Sequence, residues 1–482
     1  MATVTLSLIS HTNVGKTTLA RTLLRRDVGE VLDQAHVTEI SEAHTLIEAD
    51  GHRLELWDTP GFGHLGRLMK RLGQESNPIG WFLHQVWDRA VNRPLWCSQE
   101  AVRNIKEHAD VVLYLVNASE EPEHAGYVPP ELDLLTWMDR PVLLLLNQVG
   151  VEGESLVEGW RRFVGRWPIV REVLALDAFT RCWIEEAGLL ERVARVLEGP
   201  KREAMETLTR AWNERNRAAF LDSCDSLARY ITETALDREE ADRTAGEEDS
   251  ERGTLELLKD AFKFSAVNKH RAMDALSKRL DARTATLMEH LIVVHGLFGD
   301  SAATIERRVQ DFQVRGLVPF DERSGALAGA VVSGAVGGLA ADALSGGLSL
   351  GGGMIAGGIL GALGGSALAK GYRVIGGRKN PSVTWTPGFL HRLCHQAMLR
   401  YLAIAHFGRG RGGYRDLEQP AHWSEAVERA LDARRSVLEG IRDDADKPGE
   451  RTAERINARL RTVIEDGLRE VLHDAYPGAG GL

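Results

Sequence analysis

The sequence predicts an α/β domain with a mostly parallel sheet over residues 1–200, followed by an all-α region that contains a glycine-rich hydrophobic helical hairpin. Three observations carry this prediction. Through the first third of the chain, apolar runs of strand length alternate with helical stretches, the pattern of βαβ units. Directly after the first run stands SHTNVGKTT, from Ser10 to Thr18, a loop that cradles phosphate and opens a helix. From Lys201 onward the pattern changes to long amphipathic helices, interrupted from Ser324 to Ala369 by a segment dominated by glycine, alanine and aliphatic side chains.

Strands are expected near Thr3 to Ile9, Thr45 to Glu48, Arg53 to Trp57, Val111 to Asn117, Val142 to Leu146 and Ile169 to Leu176. The Asp50-Gly51 pair is a hairpin signal, so the second and third strands should be antiparallel and the others parallel. A chain of 482 residues exceeds one ordinary core. The composition divides it into 1–200, a helical domain at 201–323, the hydrophobic hairpin at 324–370 and a helical region at 371–482. The acidic stretch from Thr232 to Gly253 is expected to be a solvated linker. The opening MATVTLSLIS lacks a basic n-region and has only a short apolar run, which fits a buried first strand better than a cleaved leader. Cys97, Cys182, Cys224 and Cys394 show no metal-ligand pattern and are expected to be reduced thiols.

The phosphate loop names its own chemistry. Backbone N–H groups over Ser10, Asn13, Val14, Gly15, Lys16, Thr17 and Thr18 turn toward an anion, Lys16 reaches the β- and γ-phosphates, and Thr17 holds Mg2+ through its hydroxyl. Ser10 stands where the GxxxxGK[ST] pattern has its first glycine. At the end of the third strand, LELWDTPGF supplies Asp58 to fix Mg2+ through water and the Gly61 N–H to report on the γ-phosphate. Between them, HVTEI offers Thr38 as a threonine that caps the metal, with Thr45 as a competitor already inside a strand. After the Val142 strand, NQVG offers Asn147 and Gln148 to a base, but Gly150 replaces the aspartate that would accept from the guanine N1–H and 2-amino group. An unpaired buried donor costs roughly 1 to 3 kcal/mol, so this replacement bears on guanine preference. Asp177 in LALDAF is either a substitute acceptor or a strand-end cap.

These motifs in this order resemble the translation-factor-like GTPases of the TrmE, Era and EngA class. The whole chain resembles the bacterial HSR-related GTP-binding proteins, which carry a C-terminal domain of unknown function. The resemblance implies a P-loop GTPase domain that binds GTP and GDP with Mg2+, with Lys16 and Gly61 at the reacting phosphate. It also implies that Asn13 can help hold a K+ ion as a positive charge on the transition state; otherwise Asn13 is a turn residue. Phe62 occupies the position of the water-orienting glutamine of Ras-like switches, so hydrolysis should be slow unless a metal ion, a partner or self-association supplies the electrostatics. Two rival readings stay open: an ATPase or relaxed-specificity hydrolase on the same fold, and a membrane scaffold with a structural nucleotide and little hydrolysis.

Between Phe62 and the fourth strand, an extended segment carries Trp81, Phe82, Trp87 and Trp96, either as core or as a relay of nucleotide state. Further on, Gly353, Gly357, Gly361 and Gly365 recur every four residues, as do Gly325, Gly329, Ser333 and Gly337, placing small residues on one helix face. In a soluble helix each glycine would cost roughly 1 kcal/mol relative to alanine. Two bilayer-length halves joined at Ser345 to Leu348, flanked by Arg323, Lys370, Arg373, Arg378 and Lys379, fit a hairpin inserted in lipid with both ends cytoplasmic; the alternative is a buried hairpin in a soluble domain. The expected location is therefore the cytoplasmic face of the inner membrane, or the cytoplasm. A homodimer or another protein is the expected partner besides lipid. The net charge of −10 argues against general nucleic-acid binding, and Arg409, Arg411 and Arg415 are assigned to a solvated loop. His11, His36 and His64 lie near the switch segments without metal-ligand spacing and receive no role.

Overall fold

The computed structural model describes residues 2–12, 14–25, 41–63, 65, 69, 72–85, 92–147, 153–176, 182–240, 266–297, 372–375, 382–407, 421–446, 449 and 451–476. The expected hairpin at 324–370 and the glycine-rich loop at 408–413 lie outside the described residues. Two compact units are formed, one chiefly by Met1–Ala218 and the other by Ala219–Ile404 with Asp416–Gly478.

The first unit runs β1 (Thr3–Ser10), α1 (Lys16–Leu24), β2 (Glu42–Ala49), β3 (His52–Asp58), α2 (Pro78–His84), α3 (Arg93–Glu107), β4 (Val111–Asn117), α4 (Val128–Thr136), β5 (Val142–Asn147), α5 (Gly153–Val164), β6 (Val170–Ala175), α6 (Trp183–Val196) and the start of α7 (Gly199–Leu236). Its sheet has the order β2-β3-β1-β4-β5-β6. Every neighbouring pair is parallel except β2 with β3. The exception follows from the turn: Asp50 and Gly51 both take positive φ, 49° and 75°, the left-handed pair that closes a tight hairpin.

Both sheet faces are covered, which is why the strands are almost continuously apolar. With a side-chain period of two, Val4, Leu6 and Leu8 join Leu54, Leu56, Leu113 and Leu145 under α1, α6 and α7. Ile9, Val112, Tyr114, Val116 and Leu144 face the other way, against Phe82 of α2, Val102 and Ile105 of α3, Leu132 of α4 and Trp160 of α5. Phe82 is thus core. Helix α7 continues through the boundary expected at residue 200, because Met205, Leu208 and Trp212 are still packed into the first core.

The second unit is helical, with α8 (Ala266–Val294), α9 (Pro387–Ala405), α10 (Ala421–Asp432), α11 (Arg435–Asp446) and α12 (Thr452–Ala475) beside the end of α7. It is not all-α. Strands β7 (Arg238–Glu240), β8 (Tyr372–Ile375) and β9 (Ser382–Trp385) form a small antiparallel sheet in the order β7-β9-β8. This corrects the linker expectation over its first residues: 232–236 finish helix α7, and Glu239 pairs in β7 while its carboxylate accepts from Arg279 Nη1 at 2.7 Å. The same arginine and Arg283 converge on the buried Asp237. Paired acids of this kind are structural rather than solvated. The remainder, 241–253, lies outside the described residues. All four cysteines are buried, and none is in a disulfide.

Trp160 is fully buried, whereas Trp137 is 37% exposed. Trp160→Ala should therefore cost about 3–5 kcal/mol, lowering the first urea unfolding midpoint, and Trp137→Ala, which removes less buried surface, should cost distinctly less. Equal midpoints for the two variants would contradict the packing.

Candidate functional site

Parallel sheets bind ligands outside the carboxyl ends of their strands, where successive connections leave in opposite directions. Here β1 is that strand, flanked by β3 and β4, and its pairing aligns Leu8 with Asp58 and Ser10 with Leu115. Ser10 and Asp58 therefore emerge side by side. The chain then turns into α1 through Gly15, at φ 103°. A side chain there would also meet Asn147 Nδ2 at 3.0 Å, so the position needs glycine for its torsion and for the approach of β5. The first turn of α1 holds no acidic residue and Gly15 offers no side-chain cap, leaving the helix amides open to an anion.

Lys16 folds back over the loop and donates to Ser10 Oγ at 3.1 Å. The serine at the first motif position thus supplies an anchor that glycine could not. Thr17 Oγ1 donates to Asp58 Oδ2 at 2.9 Å. Asp58 Oδ1 is buried without a hydrogen-bond partner among the described residues. A hydroxyl and a carboxylate with one oxygen unspent are the hard donors that Mg2+ takes, so the residues fit that ion. Gly61 comes so close that a Cβ would meet Lys16 Nζ and Thr12 Cα at 3.1 Å, leaving no room for a side chain over the ammonium. Val14 and Thr18 are buried in the loop and first turn. The Asn147 amide donates to Val14 O at 2.8 Å, so the residue expected at the base also braces the loop.

Burial sets the electrostatics. It lowers the Lys16 pKa, opposed by Asp58 and Glu131, and raises that of Asp58, opposed by Lys16 and the Thr17 hydrogen bond. Two ionisable groups are held with less solvent than their charges require.

A buried network that the sequence reading passed over lies beside them. His11 Nδ1 meets Glu131 Oε1 at 2.7 Å, Tyr114 OH donates to Glu131 Oε2 at 2.7 Å, and the His11 ring stacks on Tyr127 at 4.5 Å. Burial raises the Glu131 pKa, with the His11 hydrogen bond opposing. The available signals were an acid within the apolar VPPELDLL and a tyrosine within VVLYLVN. Across the loop, Phe62 N donates to Ser10 O at 2.9 Å and Thr12 Oγ1 to Phe62 O at 2.9 Å. The Phe62 side chain is core, and Gly63 N donates to Ser98 Oγ of α3 at 3.0 Å. Asn13, Thr38, Gln148, Gly150 and Asp177 lie outside the described residues.

The profile of the family described as "Domain of unknown function (DUF3482)" matches residues 170–468. The chain belongs to the DUF3482 family. Ahead of that region, residues 5–148 of this DUF3482 protein match the profile described as "50S ribosome-binding GTPase". With the motif geometry above, its N-terminal domain is a GTP-binding P-loop GTPase domain. No curated protein matches the chain. Similar solved structures include Era in complex with MgGDPNP and nucleotides 1506–1542 of 16S ribosomal RNA, at 16% identity and a TM-score of 0.32, covering 41% of this chain and 58% of that one. Era from Aquifex aeolicus bound to GDP and AlF4− matches at 17% identity over the same shares, also at a TM-score of 0.32. The FeoB G-domain from Methanococcus jannaschii matches at 20% identity, covering 37% of this chain and 88% of that one, at a TM-score of 0.23. The DUF3482 chain therefore spans little more than half the length of the Era chains it matches.

The raised pKa of Asp58 gives a testable pH dependence. Its folded pKa lies above the unfolded value, so the fold favours the protonated acid, and that stability is lost as pH rises through the interval. From about pH 4 to pH 7 the urea midpoint of the ligand-free wild type should fall relative to Asp58→Asn. A relative rise would contradict it.

Proposed function

We propose that this protein binds GTP together with Mg2+, hydrolyses it slowly, and uses its nucleotide state to control the helical C-terminal region at the cytoplasmic face of a membrane. The observation that carries the reading is the pairing of Lys16 on Ser10 with Thr17 on Asp58, whose second oxygen is buried and unspent. Lys16 holds the β- and γ-phosphates, Thr17 holds the metal directly, Asp58 holds it through water, and the Gly61 N–H meets the γ-phosphate. The bound Mg2+ would neutralise charge developing on the phosphates. Nothing at Phe62 can orient water, since that side chain belongs to the core, so turnover without further help should stay below about 10⁻² s⁻¹. Asn13 is proposed to help hold K+ as the missing positive charge.

Gly63 links the nucleotide to the helices. Its N–H is held by Ser98 of α3, and a side chain on it would strike Pro94 Cβ at 2.6 Å. A shift of Gly61 toward a γ-phosphate would therefore be passed to α3. Lipid contact is assigned to 324–369, which lies outside the described residues. Among the described residues no helix is long and apolar enough to cross a membrane.

A second reading, a hydrolase that accepts ATP, is motivated by Gly150 in place of the guanine-reading acid. Competition against a fluorescent guanine nucleotide separates the two. GTP should displace it at concentrations at least about tenfold lower than ATP, the effect of roughly 1.4 kcal/mol of base discrimination. Equal displacement removes guanine specificity. GTP turnover should be faster in potassium than in sodium; equal rates remove the ion from Asn13. On fractionation, the full chain should pellet with membranes and a chain lacking 324–369 should not, whereas a full chain that stays in the supernatant refutes membrane attachment.

A further inference from the structure

Within the second unit, α9 and α10 each present two metal-ligand residues one helical turn apart: His391 and His395 on one, Glu428 and Asp432 on the other. Residues four apart share a helix face, so the two pairs can meet. They do. One ligand atom each from His391, Glu428 and Asp432 lies within 4.8 Å of the others. His391 Nε2 is buried and has no hydrogen-bond partner among the described residues; Asp432 Oδ1 stands 3.9 Å away, beyond hydrogen-bond reach. A buried imidazole nitrogen left unpaired is costly, and a cation between it and the two carboxylates would satisfy it.

We propose that His391, Glu428 and Asp432 form a binding site for a divalent transition metal of the zinc class, joining α9 to α10. One imidazole nitrogen with two carboxylate oxygens is the donor set that zinc accepts, at about 2.0–2.2 Å per bond. Such bonds put the ligand atoms about 3.3 Å from one another, and closing from 4.8 Å asks only for a small rotation of two carboxylate side chains that are 48% and 47% exposed. Mg2+ prefers oxygen donors in a strict octahedron, so the imidazole separates this site from the one at Asp58. The surroundings hold the ligands in place. Arg435 Nη2 donates at 2.6 Å to Asp432 Oδ1, the same oxygen that faces His391, and so fixes the carboxylate in that orientation. His395 Nε2 lies 3.1 Å from Ser424 O, which engages it as a neighbour of Glu428 rather than a fourth ligand. Three protein ligands leave one position for water.

The sequence conceals this site. The pairs HRLCH and ERALD lie on different helices, and only packing brings them together. The test is a Co2+ titration of the metal-free full chain in excess Mg2+, read by visible absorption. Wild type should bind one more equivalent than His391→Asn or Glu428→Gln, each variant at least about tenfold weaker at that site, and Zn2+ should bleach the added bands. Wild-type helical circular dichroism and a wild-type urea transition of the second unit show that the variants fold. Should His391→Asn fail that check, the half-exposed Glu428→Gln carries the comparison. Equal stoichiometry and equal bands in wild type and the folded variants would overturn the site.

Discussion

Lys16 and Asp58 are held at the mouth of the sheet with almost no water, 8% and 3% exposed, and much of the first domain is organised to make that bearable. Ser10 and Thr17 supply one neutral hydrogen bond to each. Glu131 adds a second negative charge toward the lysine, itself restrained by His11 and Tyr114. Buried charges that are only partly paired cost stability in the empty state. In the function proposed above, a phosphate on Lys16 and a divalent ion on Asp58 would supply the missing opposite charges, so the geometry that strains the empty domain would give the ligand its binding energy. The parallel order β3-β1-β4 brings the two residues to the same end of adjacent strands.

The site's chemistry was legible where it is local. GKTT and DTPG are each recognisable within four residues, the structure brings Thr17 and Asp58 together, and the six strands of the large sheet fall within a few residues of their expected places. What depended on distance was not legible. The Glu131 carboxylate reaches His11 across 120 positions of chain, and nothing in either segment announces the other. Ser10 looked like a missing glycine until the lysine was seen to return to it. Asn147 was read toward the base, and its amide also turns inward to Val14.

The second unit shows the same limit more strongly. Its helices were visible from their period, but β7, β8 and β9 are three and four residues long, too short to show alternation. Arg238 pairs with Thr384, so the small sheet exists only once distant segments have folded together. The acids of β7 looked solvated because Arg279 and Arg283, which hold Asp237 and Glu239, lie on a helix beyond the intervening segment. Membership of the DUF3482 family covers this unit without assigning it a task. The contact from Gly63 to Ser98 ties the segment that follows Gly61 to α3 within the first unit.

The central claim is that the buried Lys16 and Asp58 are relieved by a nucleotide with its metal. Thermal denaturation of the full chain against increasing GTP, with and without Mg2+, tests it most directly. Ligand that binds only the folded state stabilises by RT ln(1 + [L]/Kd), about 2.7 kcal/mol at a hundredfold excess over Kd. The Tm should climb with GTP in Mg2+, climb far less in its absence, and not move in Lys16→Ala. A Tm indifferent to nucleotide, or equally raised without the metal, would contradict it.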